Sequence, residues 1–272
     1  MTQTSDGFLP ESEVQFIHGK PVGPPSKATL MIKNIGQLVT MRGPSPRVGP
    51  AMNELGIIEN AGLAVAGDRI LAIGPSEEIE GRAPVSPGCD LIDAQGGLVS
   101  PGFVDSHTHP VFNMTREREF EQRIQGKSYM EIAQSGGGIR ASVRDLRTST
   151  REALEAELKK RLDRMLAHGT TTVEAKSGYG LSTKSELMSL EVVKYWNERH
   201  PLELIPTFLG AHEVPDEYRS KREEYIKILC EEMIPEVARR SLARFCDVFC
   251  EVGVYSVDES RRILETARKY GL

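Results

Sequence analysis

The chain has 272 residues, 39 acidic against 34 basic side chains, and a formal net charge of −5. That length can build ample core for one large domain or two modest ones, and the acidic balance offers no basic patch to nucleic acid or an anionic membrane surface. No apolar run reaches a bilayer span, the polar start from Met1 to Glu11 has no signal-peptide core, and the four scattered cysteines (Cys89, Cys230, Cys246, Cys250) cannot frame a disulfide-stapled domain, so a soluble, cytoplasmic protein is expected.

Residues 1–27, with Pro21 and Pro24-Pro25 among polar neighbours, read as a poorly ordered arm. Thr29 to Met41 carries Leu30, Ile32, Ile35, Leu38 and Val39 and predicts a strand or a hairpin. A Pro/Gly loop follows from Gly43 to Pro50. Gly62 to Gly74 reads as two short apolar strands joined at Gly67-Asp68, and Cys89 to Ala94 adds one more. Residues 28–95 should therefore form a small, mostly β module, and nothing in it recommends itself as chemistry.

From Gly97 to His109 the chain runs Gly-Leu-Val-Ser-Pro-Gly-Phe-Val-Asp-Ser-His-Thr-His. Leu98, Val99, Phe103 and Val104 predict a buried strand. Side chains alternate along a strand, so Asp105, His107 and His109 share one face. Pro110 stops the strand, because it has no N–H and disfavours helix at the residue before it. A bare His-x-His is usually one packed core histidine and one exposed cap. The strand before this pair, the Pro101-Gly102 turn and Asp105 favour two imidazoles converging on one metal ion instead.

Beyond His109 the period changes. Ser149-x-x-Glu152 reads as a capping box for a helix with Leu154, Leu158, Leu162, Met165 and Leu166 on one face, ended by Gly169. Thr170 to Ala175 is a short β-rich strand. Thr183-x-x-Glu186 is a second box, opening a helix through Leu187, Leu190, Val193 and Trp196 that Pro201 closes. Leu202 to Gly210 predicts a third strand, and Asp216 to Arg244 a helix broken or restarted at Pro235. Phe245 to Cys250 predicts a fourth strand, in which Cys246 and Cys250 read as buried reduced thiols. Ser256-x-x-Glu259 caps a last helix through Ile263, Leu264 and Ala267 to Gly271.

Serial strand–helix units with apolar strands imply an α/β fold with a parallel sheet. The loops after the strands hold nearly every residue of chemical interest, as they do in (β/α)8 barrels. A doubly wound open sheet is the competing architecture, but no Gly-x-Gly-x-x-Gly follows the first strand. The expectation is the first half of a (β/α)8 TIM-type barrel over 96–272, preceded by the β module.

Several separated blocks are more specific than the periodicity. They are Pro101 to His109; Ser135-Gly136-Gly137-Gly138-Ile139; Gly169 to Leu181, which contains Glu-Ala-Lys-Ser-Gly-Tyr-Gly; Phe208 to Pro215, which contains Gly-Ala-His-Glu; and Phe245 to Glu251. In these the sequence resembles the amidohydrolase superfamily and, within it, the imidazolonepropionase family, over roughly Lys27 to Leu272. The resemblance implies ring-opening hydrolysis of 4-imidazolone-5-propanoate to N-formimidoyl-L-glutamate, in histidine degradation. It implies one Zn2+ or Fe ion, with His107 and His109 as the first two ligands, and Arg116, Tyr179 and His212 as substrate-binding residues. It also implies a small-molecule substrate, a homodimer, and a β module that is half of a composite β-sandwich.

Physical grounds bear on each position. A guanidinium fork such as that of Arg116 suits a carboxylate, though Arg118 and Arg123 stay open as alternatives and a charged helix face is the plainer reading. Tyr179 is flanked by glycines, which suits a ring presented to a ligand. His212 shares the ring of loops with His107, or else is a structural histidine bonded to a neighbour. Gly136 to Gly138 suggest a lid or a close backbone approach, since no Lys-Ser/Thr helix start follows to make a phosphate cradle. His18, His168 and His200 receive no catalytic part.

The chain also departs from the family. An eight-stranded barrel typically runs about 250 residues, whereas only the first units are legible here. The third histidine ligand, an aspartate ligand and the catalytic residues proper are expected beyond residue 272, so this chain alone is expected to be inactive. A catalytically inactive short isoform or fragment is the alternative. Another cyclic-amide hydrolase or deaminase of the superfamily ranks below it, because Ser177-Gly-Tyr-Gly180 and Gly210-Ala-His212 speak against one.

Overall fold

The computed structural model describes residues 27–128, 131 and 137–272, which divide into two units between Pro101 and Gly102. Residues 1–26 of the expected arm, and Ser135 and Gly136 of the glycine block, lie outside the described residues.

In the first unit, β1 (Ala28–Val39), β2 (Ile57–Ala66), β3 (Arg69–Pro75), β4 (Val85–Asp93) and β5 (Leu98–Val99) form one sheet, and a single turn of helix, α1 (Ile79–Arg82), lies between β3 and β4 in the chain. The order is β3-β2-β1-β4, with β5 also on β1. β1 is one long strand, not a hairpin. The register with β2 shifts between Ile32 and Ile35, where Asn34 adopts φ +54. β2 and β3 bring Ala66 opposite Arg69, so Gly67-Asp68 is the two-residue turn that the sequence signals, with Gly67 at φ +62.

The second unit is serial βα. It runs β6 (Phe103–Thr108), α2 (Glu117–Ile124), α3 (Ile139–Thr148), α4 (Arg151–Ala167), β7 (Thr170–Lys176), α5 (Thr183–Asn197), β8 (Glu203–Ala211), α6 (Arg222–Ile228), α7 (Ile234–Arg239), β9 (Phe245–Val248) and α8 (Val257–Lys269). The four strands are parallel in the order β6-β7-β8-β9. Leu154, Leu158 and Leu162 of α4 pack with Val173 and Ala175 of β7 and with Val192 and Val193 of α5. A second core joins Phe208 of β8 to Leu229, Ile234 and Ile263. Burying one such side chain contributes about 2 kcal/mol. Among the described residues no helix is long and apolar enough to cross a membrane.

Several sequence expectations need correcting. The strand read from Leu98 through Val104 is two strands: Leu98–Val99 pairs with β1, and Phe103 opens β6. Pro101 between them has no N–H with which to continue a ladder. β6 is not buried: Phe103 and Val104 are 61% and 68% exposed, because among the described residues β6 is an edge strand paired only with β7. β7 is not uniformly apolar either, since Glu174 and Lys176 alternate with Val173 and Ala175. Two capping boxes are displaced. The N-cap of α4 is Thr150, which accepts from Ala153 N–H, and that of α5 is Ser182, which accepts from Ser185 N–H. The box at Ser256 and Glu259 is complete. The helix expected to break at Pro235 runs on through a π turn at Leu229–Met233, which absorbs the missing N–H. The four cysteines are free, but Cys250 lies exposed beyond the end of β9. Burial pushes the Cys246 thiol up to about 12, so it stays protonated.

Candidate active site

Parallel strands present their C-terminal ends to one side, so the loops after β6, β7 and β8 converge. His107 lies on β6, His109 directly after it, Tyr179 in the loop after β7, and His212 directly after β8. Their rings meet. His107 and His109 stand 5.7 Å apart edge to face, and His109 stacks on His212 at 4.6 Å with only 10° between planes. Tyr179 lies 5.0 Å from His109 and 5.5 Å from His212. Asp105, on the strand face of His107, accepts from the His107 backbone N–H at 3.3 Å.

Two carbonyls set the histidine tautomers. His109 Nδ1 lies 2.9 Å from the Ser177 carbonyl oxygen, and His212 Nδ1 lies 2.9 Å from that of Gly178. A carbonyl only accepts, so in each ring Nδ1 carries the proton and neutral Nε2 offers a lone pair. Burial lowers both pKa values, that of His109 to about 4, helped by the neighbouring His212 and His107. A neutral imidazole with a bare Nε2 is the form that ligates a metal, and its Nδ1–H bond to a carbonyl is the usual support for such a ligand. The His109 ring is therefore in the form that takes a metal, with the His107 ring 5.7 Å away. Among the described residues, no group of three or more His, Cys, Asp or Glu side chains is arranged to hold a metal.

Arg116 is the residue before α2, part-exposed, with Nη1 3.8 Å from Glu119 Oε2. Its positive charge opposes the rise that burial gives the Tyr179 hydroxyl pKa, so it belongs to the electrostatic surroundings of that ring. Arg118 and Arg123 are exposed elsewhere on α2. His168 bonds back to the Arg164 carbonyl, and His200 lies 3.2 Å from Asp163, both just past helix ends and ahead of the strands β7 and β8. His18 lies outside the described residues.

Three residues here escaped the sequence reading. Lys176 on β7 donates at 2.8 Å to both Glu174 and Asp247, while Thr207 donates to Glu174, which makes a polar layer across β7, β8 and β9. Burial works against the Lys176 charge, but the two carboxylates outweigh it and raise its pKa. Glu186 on α5 is fully buried, and that burial raises its pKa against the donors around it. Its oxygens accept from the N–H groups of Gly178 at 3.0 Å and of Gly180 and Leu181 at 2.8 Å. Arg147 on α3 donates to the carbonyls of Gly180 and Leu181, each at 2.7 Å. Period 2 along β7 could have flagged Lys176. Glu186 and Arg147 act on backbone atoms, which carry no sequence signal.

No family model matches the chain. The imidazolonepropionase of Geobacillus thermodenitrificans is 49% identical over 246 residues, covering 89% of this chain and 58% of that protein. The imidazolonepropionase of Symbiobacterium thermophilum is 50% identical over 247 residues, covering 89% and 57%. The chain thus spans less than two thirds of the length of these relatives. Among solved structures, E. coli guanine deaminase superposes with a TM-score of 0.55 at 18% identity, covering 88% of this chain and 51% of that one. That likeness is one of fold alone.

Proposed function

We propose that this chain is the N-terminal portion of an imidazolonepropionase, a hydrolase that opens the ring of 4-imidazolone-5-propanoate to N-formimidoyl-L-glutamate. The observation that carries the reading is the convergence of His107, His109, Tyr179 and His212 at the ends of three consecutive parallel strands. In this reading residues 28–95 belong to a β-sandwich completed elsewhere, and 96–272 to the catalytic barrel.

His107 and His109 would hold one Zn2+ or Fe ion. Such an ion, when bound, supplies Lewis acidity toward a carbonyl and lowers the pKa of water to about 7 in well-studied zinc sites. The remaining work falls to the chain's own residues. The Arg116 guanidinium pairs with the propanoate carboxylate and fixes which way round the ring enters. Tyr179 covers the ring and keeps water from its face. His212, with Nδ1–H committed to Gly178, presents bare Nε2 as an acceptor for a ring N–H, which orients the amide. The overall change adds water across the ring C–N bond. Oxygen bonds to the carbonyl carbon, the bond to nitrogen breaks, and the leaving nitrogen takes the proton.

Two experiments test this. The complete enzyme of which this reading makes the chain a part, supplemented with Zn2+ or Fe2+, is incubated with 4-imidazolone-5-propanoate; formation of N-formimidoyl-L-glutamate that disappears in His107→Ala supports the reading, whereas ammonia release from a cyclic amidine in place of ring opening contradicts it. For Arg116, affinity for the propanoate-bearing ring is compared with that for the same ring without its carboxylate. The carboxylate should strengthen binding by about tenfold or more, and Arg116→Ala should abolish the gap. Equal affinities in the unmodified protein would remove Arg116 as the anchor.

A further inference from the structure

The loop Ser177–Leu181 adopts a backbone that would not persist unaided. Gly178 sits at φ +110 and Leu181, with a branched side chain, at φ +49. A Cβ on Gly178 would come within 2.9 Å of the Leu209 carbonyl and 3.0 Å of His212 Nδ1, so the loop also lies hard against β8 and the His212 ring. What holds it there comes from two helices on either side. Glu186 of α5 takes the N–H groups of Gly178, Gly180 and Leu181, and Arg147 of α3 takes the carbonyls of Gly180 and Leu181. The third nitrogen of Arg147 pairs with Glu217 at 2.8 Å, in the segment that follows His212, so one guanidinium ties the loop after β7 to the loop after β8.

Capping α5 does not require a buried carboxylate, because Ser182 already serves as the N-cap. A fully buried carboxylate with no cation among its hydrogen-bond partners is costly, and here its acceptors go to the loop. That same loop supplies the Ser177 and Gly178 carbonyls that hold His109 and His212, and it carries Tyr179.

We propose that Glu186 and Arg147 are positioning residues of the site: by clamping Ser177–Leu181 from both helices they keep Nε2 of His109 and His212 bare and aimed inward, and they hold Tyr179 over the substrate. The part concerning Tyr179 and substrate rests on the functional reading above; the part concerning the histidine rings does not.

The test uses Glu186→Gln, in which one of the two oxygens that face loop N–H groups becomes an NH2, and Arg147→Lys, which keeps the charge but loses the fork. Imidazole 15N shifts read the tautomers without substrate. Both histidines should report protonated Nδ1 and bare Nε2 in the unmodified protein and a mixture in each variant. Where turnover is measured, KM should rise about tenfold while kcat changes far less. If Glu186→Gln does not fold, Arg147→Lys decides. Unchanged tautomers in a folded variant would overturn the proposal, whatever happens to the melting temperature. Altered tautomers in a protein that shows no affinity for 4-imidazolone-5-propanoate would uphold the clamp and refute the functional reading instead.

Discussion

Among the described residues β7 and β8 have a neighbour on each side, whereas β6 and β9 pair on one side only. The consequences run through the second unit. On the inner strands Val173, Ala175 and Phe208 are fully buried, and the loop after β7 has its amides and carbonyls engaged by Glu186, Arg147, His109 and His212. On the outer strands Phe103, Val104 and Phe245 are exposed, and so is His107. The site is thus assembled from unequal halves. Tyr179 and His212 come preorganised from the inner strands, while His107 relies on what binds to it.

The largest expected effect lies on the inner strands. Phe208→Ala should cost about 3–5 kcal/mol in urea unfolding, since the ring is fully buried against Leu229 and its neighbours. A cost below about 1 kcal/mol would mean that the inner core repacks freely, and the contrast would fail. Next, Gly178→Ala should destabilise by about 2 kcal/mol, because the new Cβ meets both a left-handed backbone and the Leu209 carbonyl. Its effect on substrate affinity should exceed its effect on stability.

A smaller effect comes from acid. Arg222 of α6 clamps Glu259 of α8 through Nε and Nη2, and also donates to the Val254 carbonyl, which fastens the helix after an outer strand to the helix after an inner one. Arg222, with the Ser256 N–H and hydroxyl, lowers the Glu259 pKa from 4.5 to about 2. A folded-state pKa below the unfolded value adds stability that is fully present above 4.5 and lost as pH falls toward 2. For so partly exposed a pair the loss should be about 1 kcal/mol, and Glu259→Gln should flatten the unfolding profile over that window. An unaltered slope in the variant would show that the pair does not fasten α8. Smallest of all, Phe103→Ala on the exposed edge should stay within about 0.5 kcal/mol in this chain. A large cost would show that β6 is covered in solution.

What could be read from the sequence follows the same division. The Gly67-Asp68 turn, the alternation of strand and helix, and the gathering of His107, His109, Tyr179 and His212 at strand ends rest on local chemistry and on period, and these are legible. Whether an apolar strand is buried depends on which strand lies beside it, so Phe103 and Val104 misled. Caps at Thr150 and Ser182 moved by one residue from the positions that the boxes indicated, because several Ser and Thr in a row can each accept the helix N–H. α2 and α3 were not anticipated; they are short and charged, and α3 begins where Gly138 turns the backbone at φ +69. Glu186 looked like half of a capping box, and only the path of the neighbouring loop shows that its partners are elsewhere.

The most direct test is a calorimetric titration of the protein with Zn2+ alone, alongside His107→Ala and His109→Ala. The account predicts one ion per chain in the unmodified protein and loss of that binding in both variants. Binding of the same stoichiometry and strength in all three proteins, or no binding in any, would contradict it.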